Sequence, residues 1–183
     1  MPVALLSVFD KTGVVKLAKA LDDLGWDLLS SGGTAGAIRA AHVPVTDTSE
    51  HTGFPVIMDH RVATLHPKIH GGILADRDKP KHMQEARDHG IDLIDLVVCN
   101  FYDFGKDPGV EKIDIGGPAM VRAAAKNFAF TGAVIDPADY SRVVAAIKHN
   151  DGVLPQQLRK ELAIKAFELT SKYDAEVAAW LAA

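Results

Sequence analysis

The alternation of short apolar runs with helical segments is the feature that most constrains the fold of this chain. Val3–Val8 is a short apolar run typical of a buried strand, and Val14–Leu24 carries apolar residues at helical spacing. Trp26–Leu29 predicts a second strand, a small-residue helix of about 35–42 follows, and Val43–Val45 predicts a third strand. Because parallel strands need helical crossovers, this βαβαβ order predicts a three-layer α/β fold, with a mostly parallel sheet flanked by helices.

The chain after about residue 80 continues the same alternation. Its apolar periodicity predicts, in order, helix 80–89, strand Leu93–Cys99, helix 118–127, strand Gly132–Ile135 and helix 137–149. The preceding segment, 46–72, shows little periodicity and many polar residues. A compact domain rarely keeps so long an irregular segment without a use for it, so we expect this segment to carry function.

A long C-terminal helix is predicted from Pro155 onward. Apolar residues recur there at three- and four-residue steps as far as Trp180. Such a broad stripe fits docking on the helix's own domain and contact with a second subunit equally well, so the sequence leaves both interpretations open.

Length and charge narrow the class of protein. A chain of 183 residues suits one domain, so we expect a single domain over residues 1–183. The net charge of −4 argues against general nucleic-acid binding. No apolar run approaches the about 20 residues of a membrane helix, and a strand rather than a basic signal segment follows Met1. Together with a single cysteine in an apolar run, Cys99, these features predict a soluble cytoplasmic protein.

The sequence Ile-Asp-Ile-Gly-Gly-Pro places an acid at the start of a predicted helix. Gly116 and Gly117 expose backbone N–H groups at that point, and Asp114 lies just before them. Arg122 and Lys126 lie one turn apart on the helix that follows. An acid, a cation and a helix N-terminus favour a site that binds an anion and moves protons.

Two loops that follow neighbouring predicted strands contain residues suited to phosphate. Ser31–Thr34, which includes Gly32 and Gly33, offers N–H groups, hydroxyls and a helix dipole to an anion. Lys11 lies in the corresponding loop after the first strand and supplies a charge. An ordinary polar turn explains either loop alone, but ligands of open α/β sheets bind at the edge that the two loops share.

Other side chains are further candidates for a role in binding or catalysis. Asn100 and Tyr102 follow a predicted strand, where Tyr102 either bonds a substrate or is a half-buried structural residue. His66 and His70 are four residues apart, but proline separates them and no glutamate completes a zinc motif, so we expect no metal site. The apolar surroundings of Cys99 argue against a nucleophilic thiol.

Several motifs occur together and in one order along the chain: Ser7–Gly13, Ser31–Thr34, Thr52–Pro55, Thr64–Pro67, His70–Leu74, Ile113–Pro118, Arg122–Asn127 and Ala163–Phe167. In this the chain resembles, over essentially its whole length, the inosine monophosphate cyclohydrolase domain of the bifunctional purine-biosynthesis enzymes. The resemblance implies a methylglyoxal-synthase-like α/β fold. It also implies closure of the purine six-membered ring, from 5-formamidoimidazole-4-carboxamide ribotide to inosine monophosphate, without metal or cofactor.

The same resemblance implies the residues of the site. Those expected to hold the ribose-phosphate end and to line the pocket are Ser7, Lys11, Ser31, Gly32, Gly33, Thr34, Arg61, Thr64 and Asn100. Asp114 is expected to assist deprotonation of the carboxamide, near the N–H groups of Gly116 and Gly117. Tyr102 and Lys126 are expected to complete the proton relay and to stabilise charge.

Ala63 is the main departure from the family pattern, which has a catalytic lysine at this position of the Arg-Val-Lys-Thr-Leu-His-Pro motif. Alanine neither transfers a proton nor stabilises an oxyanion, so we expect a rate loss of about 10²–10³. Two explanations stay open, an engineered replacement of the lysine and a natural variant in which Lys68 or Lys126 substitutes. Smaller departures are Asp103, where the family usually has proline, and a short connection between Phe104 and Ile113.

Two other functions stay open beside the cyclohydrolase. A methylglyoxal synthase shares the fold, a phosphate site and a catalytic aspartate, whereas a non-catalytic nucleotide-binding domain would explain Ala63. We expect the partners to be a purine ribonucleotide and a second copy of the chain, and not nucleic acid or a membrane. The chain stops about where the family's linker to its formyltransferase domain begins, so formyl transfer is expected from a separate domain or polypeptide.

Overall fold

A five-stranded parallel sheet forms the centre of the computed structural model, which describes residues 1–59, 61–102 and 104–183. Asp103 therefore lies outside the described residues. The strands are β1 (Val3–Leu6), β2 (Asp27–Ser30), β3 (Thr46–Asp47), β4 (Leu96–Val98) and β5 (Gly132–Val134). Their order across the sheet is β3-β2-β1-β4-β5, and every neighbouring pair is parallel. The predicted parallel α/β sheet is confirmed.

Eight α-helices surround the sheet in the described part of the chain. They are α1 (Val14–Asp22), α2 (Gly32–Ala40), α3 (Thr48–Thr52), α4 (Pro67–Leu74), α5 (Pro80–Asp88), α6 (Gly116–Lys126), α7 (Tyr140–His149) and α8 (Gln156–Leu181). Short 3-10 turns occupy Phe104–Lys106, Val110–Lys112 and Pro137–Asp139. Most connections are short, as expected for crossovers in a compact α/β fold.

Apolar side chains form one core on each face of the sheet. On one face Leu17 of α1 and Ile147 of α7 pack against Ala4 and Leu6 of β1. On the other face α4 and α6 pack against Leu5 of β1. Because successive residues of a strand point to opposite faces, the fully buried β1 contributes to both cores, and the three-layer architecture is confirmed.

The C-terminal helix α8 is about 39 Å long at 1.5 Å per residue. It packs against β5 at the edge of the sheet, with Leu158 in one core and Ala166 in the other. This confirms docking on the body of the chain, while Ile164 and Phe167 remain exposed, the Phe167 ring lying 5.6 Å from the Arg122 guanidinium of α6. No helix in the described residues is long and apolar enough to cross a membrane.

The prediction for residues 43–72 was partly wrong. The third strand is Thr46–Asp47 rather than Val43–Val45, because pairing with β2 occurs at Thr46 and Asp47. The segment predicted to be irregular contains α3 and α4. A capping box between Asp47 and Glu50 begins α3, whereas Pro67 begins α4 after an N-cap in which Lys68 N–H donates to His66 Nδ1. These two helices are set by capping rather than by apolar periodicity.

Candidate active site

The strand order reverses between β1 and β4, which places a crevice at the carboxyl ends of these central strands. A cleft of about 410 Å³ lies there. Its lining residues are Ser7, Val8, Phe9, Lys11, Ser31, Gly32, Gly33, Thr34, Asp47, Val56, Ala63, Thr64, Cys99, Asn100, Asp114, Gly117 and Met120. The structure thus brings both predicted phosphate loops and Asp114 to one cleft.

The predicted phosphate loops meet at one end of this cleft. The hydroxyl of Ser7, after β1, lies 3.0 Å from that of Ser31, after β2. The Lys11 side chain crosses the start of α2, because a Cβ built on Gly33 would lie 3.7 Å from Lys11 Nζ. That ammonium bonds only weakly within the chain, donating to the Phe9 carbonyl over 3.4 Å. A helix N-terminus, two hydroxyls and an exposed ammonium form an anion cradle.

Thr34 and Asn100 hold the loop that carries Lys11. The buried Thr34 hydroxyl accepts from the Val8 N–H over 3.1 Å and donates to the Val8 carbonyl over 3.0 Å. Asn100, after β4, accepts from the Asp10 N–H and donates to the Asp10 carbonyl. These side chains therefore hydrogen-bond to the backbone of the loop, which holds the anion cradle in place.

Asp114 occupies the other end of the cleft, where α6 begins. Burial raises the pKa of its carboxyl group, while the bond that Gly117 N–H donates to Oδ1 over 2.8 Å acts in the opposite direction. A Cβ on Gly117 would lie 2.5 Å from Asp114 Oδ2, and one on Gly116 would lie 2.9 Å from the Thr64 hydroxyl. The two glycines are thus required for the close approach of the carboxylate and of the segment around Ala63.

Tyr102 lies at the rim of the cleft rather than in its lining. Its ring meets Phe9 edge to face, with centroids 4.8 Å apart, and the ammonium of Lys112 lies 4.9 Å from its centroid. Lys126 is exposed at the far end of α6, about 15 Å of helix away from Gly116. The structure therefore separates Lys126 from the cleft, and its predicted role in the relay rests on the resemblance alone.

Arg61 lines a second cleft of about 560 Å³, which shares Asp114 and lies beside the first. Its guanidinium pairs with Glu111 across this neighbouring cleft, and both side chains are largely exposed. Asp114 thus lies between two openings, with the anion cradle on one side and an exposed arginine on the other.

Ala63 lines the cleft beside Thr64, at the position where the family has lysine. Neither lysine considered as a substitute lies in the lining, since Lys68 is close to His51 and Lys126 is at the end of α6. Among the described lining residues, Lys11 is the one ammonium, and it belongs to the anion cradle.

Several lining residues were missed by the sequence analysis, among them Phe9, Asp47 and Met120. Asp47 was missed because the third strand was predicted to end at Val45, two residues before its end in the structure. Burial raises the pKa of the Cys99 thiol, in keeping with the prediction that it is not a nucleophile. No group of three or more potential metal ligands occurs among the residues with described positions.

A larger cleft, of about 680 Å³, lies at the amino ends of β1 and β2. Four aspartates line it, and its arginine, Arg77, is already paired with Asp95 over 2.6 Å, so it offers an anion little positive charge. Size alone does not identify a site, and the carboxyl edge is where open parallel sheets bind ligands. The smaller cleft, which combines the exposed Lys11 ammonium with the half-buried carboxylate of Asp114, is therefore the candidate active site.

Comparison with known proteins agrees with this fold. The chain belongs to the MGS-like domain family, whose model matches residues 13–119. A second family model, described as the AICARFT/IMPCHase bienzyme, matches residues 124–183.

Curated relatives from Brucella ovis and Brucella canis, both named Bifunctional purine biosynthesis protein PurH, are 54% identical over 187 residues. That match covers 98% of this chain but 35% of each relative, so the chain spans about a third of their length. A crystal structure of a protein named ForH has a TM-score of 0.88 at 37% identity and covers 97% of both chains. The resemblance to the bifunctional purine-biosynthesis enzymes is confirmed.

Proposed function

We propose that this chain is an inosine monophosphate cyclohydrolase. It closes the ring of 5-formamidoimidazole-4-carboxamide ribotide with loss of water, in purine biosynthesis. The observation that carries the proposal is a single cleft with an anion cradle at one end and the half-buried carboxylate of Asp114 at the other. The PurH relatives support the same assignment.

The anion cradle is proposed to hold the ribotide phosphate. Lys11 contributes a charge, the hydroxyls of Ser7 and Ser31 donate, and the N–H groups at the start of α2 complete the shell. These interactions lie away from the reacting atoms. They orient the carboxamide and the formamido group toward each other, and positioning supplies much of the rate of an intramolecular reaction.

Asp114 is proposed to accept a proton from the carboxamide nitrogen. A raised pKa makes its carboxylate a stronger base than an exposed aspartate. The nitrogen then bonds to the formyl carbon, and the formyl oxygen takes up a proton to become a hydroxyl. Loss of this hydroxyl, with the proton of the formamido nitrogen, gives the ring double bond and water. The Gly116 N–H and the positive end of α6 are proposed to stabilise the developing oxyanion.

Ring closure followed by ultraviolet absorbance tests this proposal, with the unchanged chain and Ala63→Lys assayed in parallel. We expect slow turnover by the chain and a gain of about 10²–10³ for Ala63→Lys, because the lysine restores a cation at the cleft wall. Equal activity of the two forms would contradict the role assigned to position 63. Nucleotide binding without turnover by either form would contradict the cyclohydrolase itself.

Ala63 also favours a second candidate function, nucleotide binding without catalysis. The cleft keeps its anion cradle but has no ammonium near Asp114 among its described lining residues. Tight binding of inosine monophosphate with no turnover, unchanged in Ala63→Lys, would establish this alternative. Turnover of dihydroxyacetone phosphate in the same assay series would instead indicate a methylglyoxal synthase.

The proposal extends to partners and location. The exposed Ile164 and Phe167 on α8 are suited to contact with a second copy of the chain, and sedimentation would show a dimer. The reduced, buried thiol of Cys99 is in keeping with a cytoplasmic protein. Formyl transfer to make the ribotide belongs, in this proposal, to a separate domain or polypeptide.

A further inference from the structure

The hydroxyl of Tyr173, on α8, holds the backbone on both sides of residue 113. It accepts a hydrogen bond from the Asp114 N–H over 2.7 Å and donates one to the Lys112 carbonyl over 3.2 Å. Tyr173 is 5% exposed and does not line the cleft. A single buried hydroxyl therefore ties the turn that carries Asp114 to the C-terminal helix.

The Tyr173 ring is fixed by aromatic neighbours. Its centroid lies 5.4 Å from that of Phe101 and 6.2 Å from that of Phe104, both in edge-to-face geometry. Phe101 also lies against α6, since a Cβ on Gly117 would be 3.0 Å from its ring. Helix α8 in turn packs on α6 and β5. The Tyr173 hydroxyl is thus held by the packing of its ring and of α8, and Phe101 of the same aromatic group also contacts the start of α6.

Two bonds from opposite sides then fix Asp114. Tyr173 holds its backbone N–H, and the Gly117 N–H holds its carboxylate oxygen Oδ1. Neither bond alone fixes the position of the carboxylate. The Tyr173 bond leaves the Asp114 side chain free to rotate about its χ angles, and the Gly117 bond leaves the backbone of residues 112–114 free to shift. Together they leave Oδ2 as the oxygen available to the cleft.

We propose that Tyr173 is a positioning residue that aims the Asp114 carboxylate into the cleft by clamping the 112–114 turn to α8. The inference rests on the proposed function for the catalytic role of Asp114, but the clamp itself is testable without turnover. Tyr173 would hold the base within about 0.5 Å of its productive position, the precision that a catalytic group requires. It would do so without touching the substrate.

The charged and titratable groups around Asp114 come from several elements. They are Cys99 after β4, Lys11 after β1 and Asp47 at the end of β3 in the shared cleft, with Asp59, Arg61 and Glu111 in the neighbouring one. None of these bonds the 112–114 turn, so a Tyr173 variant leaves them in place. A change in Asp114 on removal of the Tyr173 hydroxyl is therefore a test of the clamp.

Tyr173→Phe removes the hydroxyl and keeps the ring, and Tyr140→Phe is the matched control. Tyr140 is 7% exposed and its hydroxyl finds no hydrogen-bond partner in the described part of the protein. The first readout is the pH titration of the Gly117 amide by NMR, since this N–H reports ionisation of Asp114 through their bond. The second is ring closure with kcat and KM measured separately, and the third is affinity for ribose 5-phosphate.

We expect Tyr173→Phe to lose most of the Gly117 titration and about tenfold in kcat, as a small misplacement of a catalytic group does. Affinity for ribose 5-phosphate should be unchanged, and Tyr140→Phe should match the unsubstituted chain in all three readouts. A Tyr173→Phe protein that melts earlier yet keeps the full Gly117 titration would overturn the proposal, because the hydroxyl would then be only structural. If no form closes the ring, the proposed function fails, and the Gly117 titration still decides the clamp.

Discussion

Gly117→Ala is predicted to damage function far more than stability. Gly117 lies within the first turn of α6, and the added Cβ would lie 2.5 Å from Asp114 Oδ2 and 3.0 Å from the Phe101 ring. The 2.5 Å approach is closer than Cβ atoms come to any neighbour, so the carboxylate must move, whereas the Phe101 ring must shift only slightly. The carboxylate moves most easily because it is the free end of a side chain, which turns it away from its place in the cleft.

Two opposing effects set the change in stability of Gly117→Ala, helix propensity and overpacking. Alanine in place of a helical glycine stabilises a helix by about 1 kcal/mol, whereas overpacking a filled site costs about 1–3 kcal/mol. The net change in the free energy of unfolding is therefore a destabilisation of about 0–2 kcal/mol. A shift of about 1 Å in a catalytic group lowers kcat by about 10²-fold. Loss of activity should thus exceed what the modest loss of stability explains.

The control for this prediction is Gly36→Ala. Gly36 lies within α2, and a Cβ there meets no atom within 4 Å. We expect this variant to gain about 0.5–1 kcal/mol from helix propensity and to keep full activity. Urea unfolding and ring-closure kinetics on both variants make the comparison. If Gly117→Ala were stabilised as much as Gly36→Ala and closed the ring as fast as the unsubstituted chain, the steric argument for Asp114 would be refuted.

Two further predictions concern the ends of the cleft. Asp114→Asn should lose about 10²–10⁴ in rate as the base is removed. Burial raises the pKa of Asp114 above that of an aspartate in the unfolded chain, so the stability of the unsubstituted chain falls as pH rises from the unfolded to the folded pKa. Asp114→Asn should therefore gain stability relative to that chain over this pH range, as urea titrations at several pH values would show. Lys11→Ala should weaken ribose 5-phosphate binding by about 10–100-fold, whereas calorimetry should detect no change for the exposed Lys16→Ala.

The sequence was most informative where structure is set locally. The four buried residues of β1 and the apolar stripe of α1 predicted both elements closely, and the phosphate loops followed because parallel strands bring their carboxyl ends to one edge. Helix α3 was missed, although its capping box of Asp47 and Glu50 is visible in the sequence, because five residues give no apolar period to detect. A search for caps as well as for periodicity would have found it.

The contact between Tyr173 and Asp114 had no sequence signal. The two residues are 59 positions apart, and nothing in the local pattern of α8 distinguishes Tyr173 from an ordinary core aromatic. The separation of Lys126 from the cleft is different, since it follows from the rise of an α-helix once the start of α6 is known. Long-range contacts of side-chain hydroxyls require the packed structure, whereas distances along one helix do not.

The central claim, that one cleft binds a purine ribonucleotide by its phosphate and presents it to Asp114, is tested most directly by a crystal structure with inosine monophosphate bound. We predict the phosphate within hydrogen-bond distance of Lys11 Nζ and the Ser31 hydroxyl, and the six-membered ring against Asp114 and the start of α6. A nucleotide bound in the larger cleft, at the amino ends of β1 and β2, or with its phosphate at Arg61 and its base at Lys11, would contradict the account.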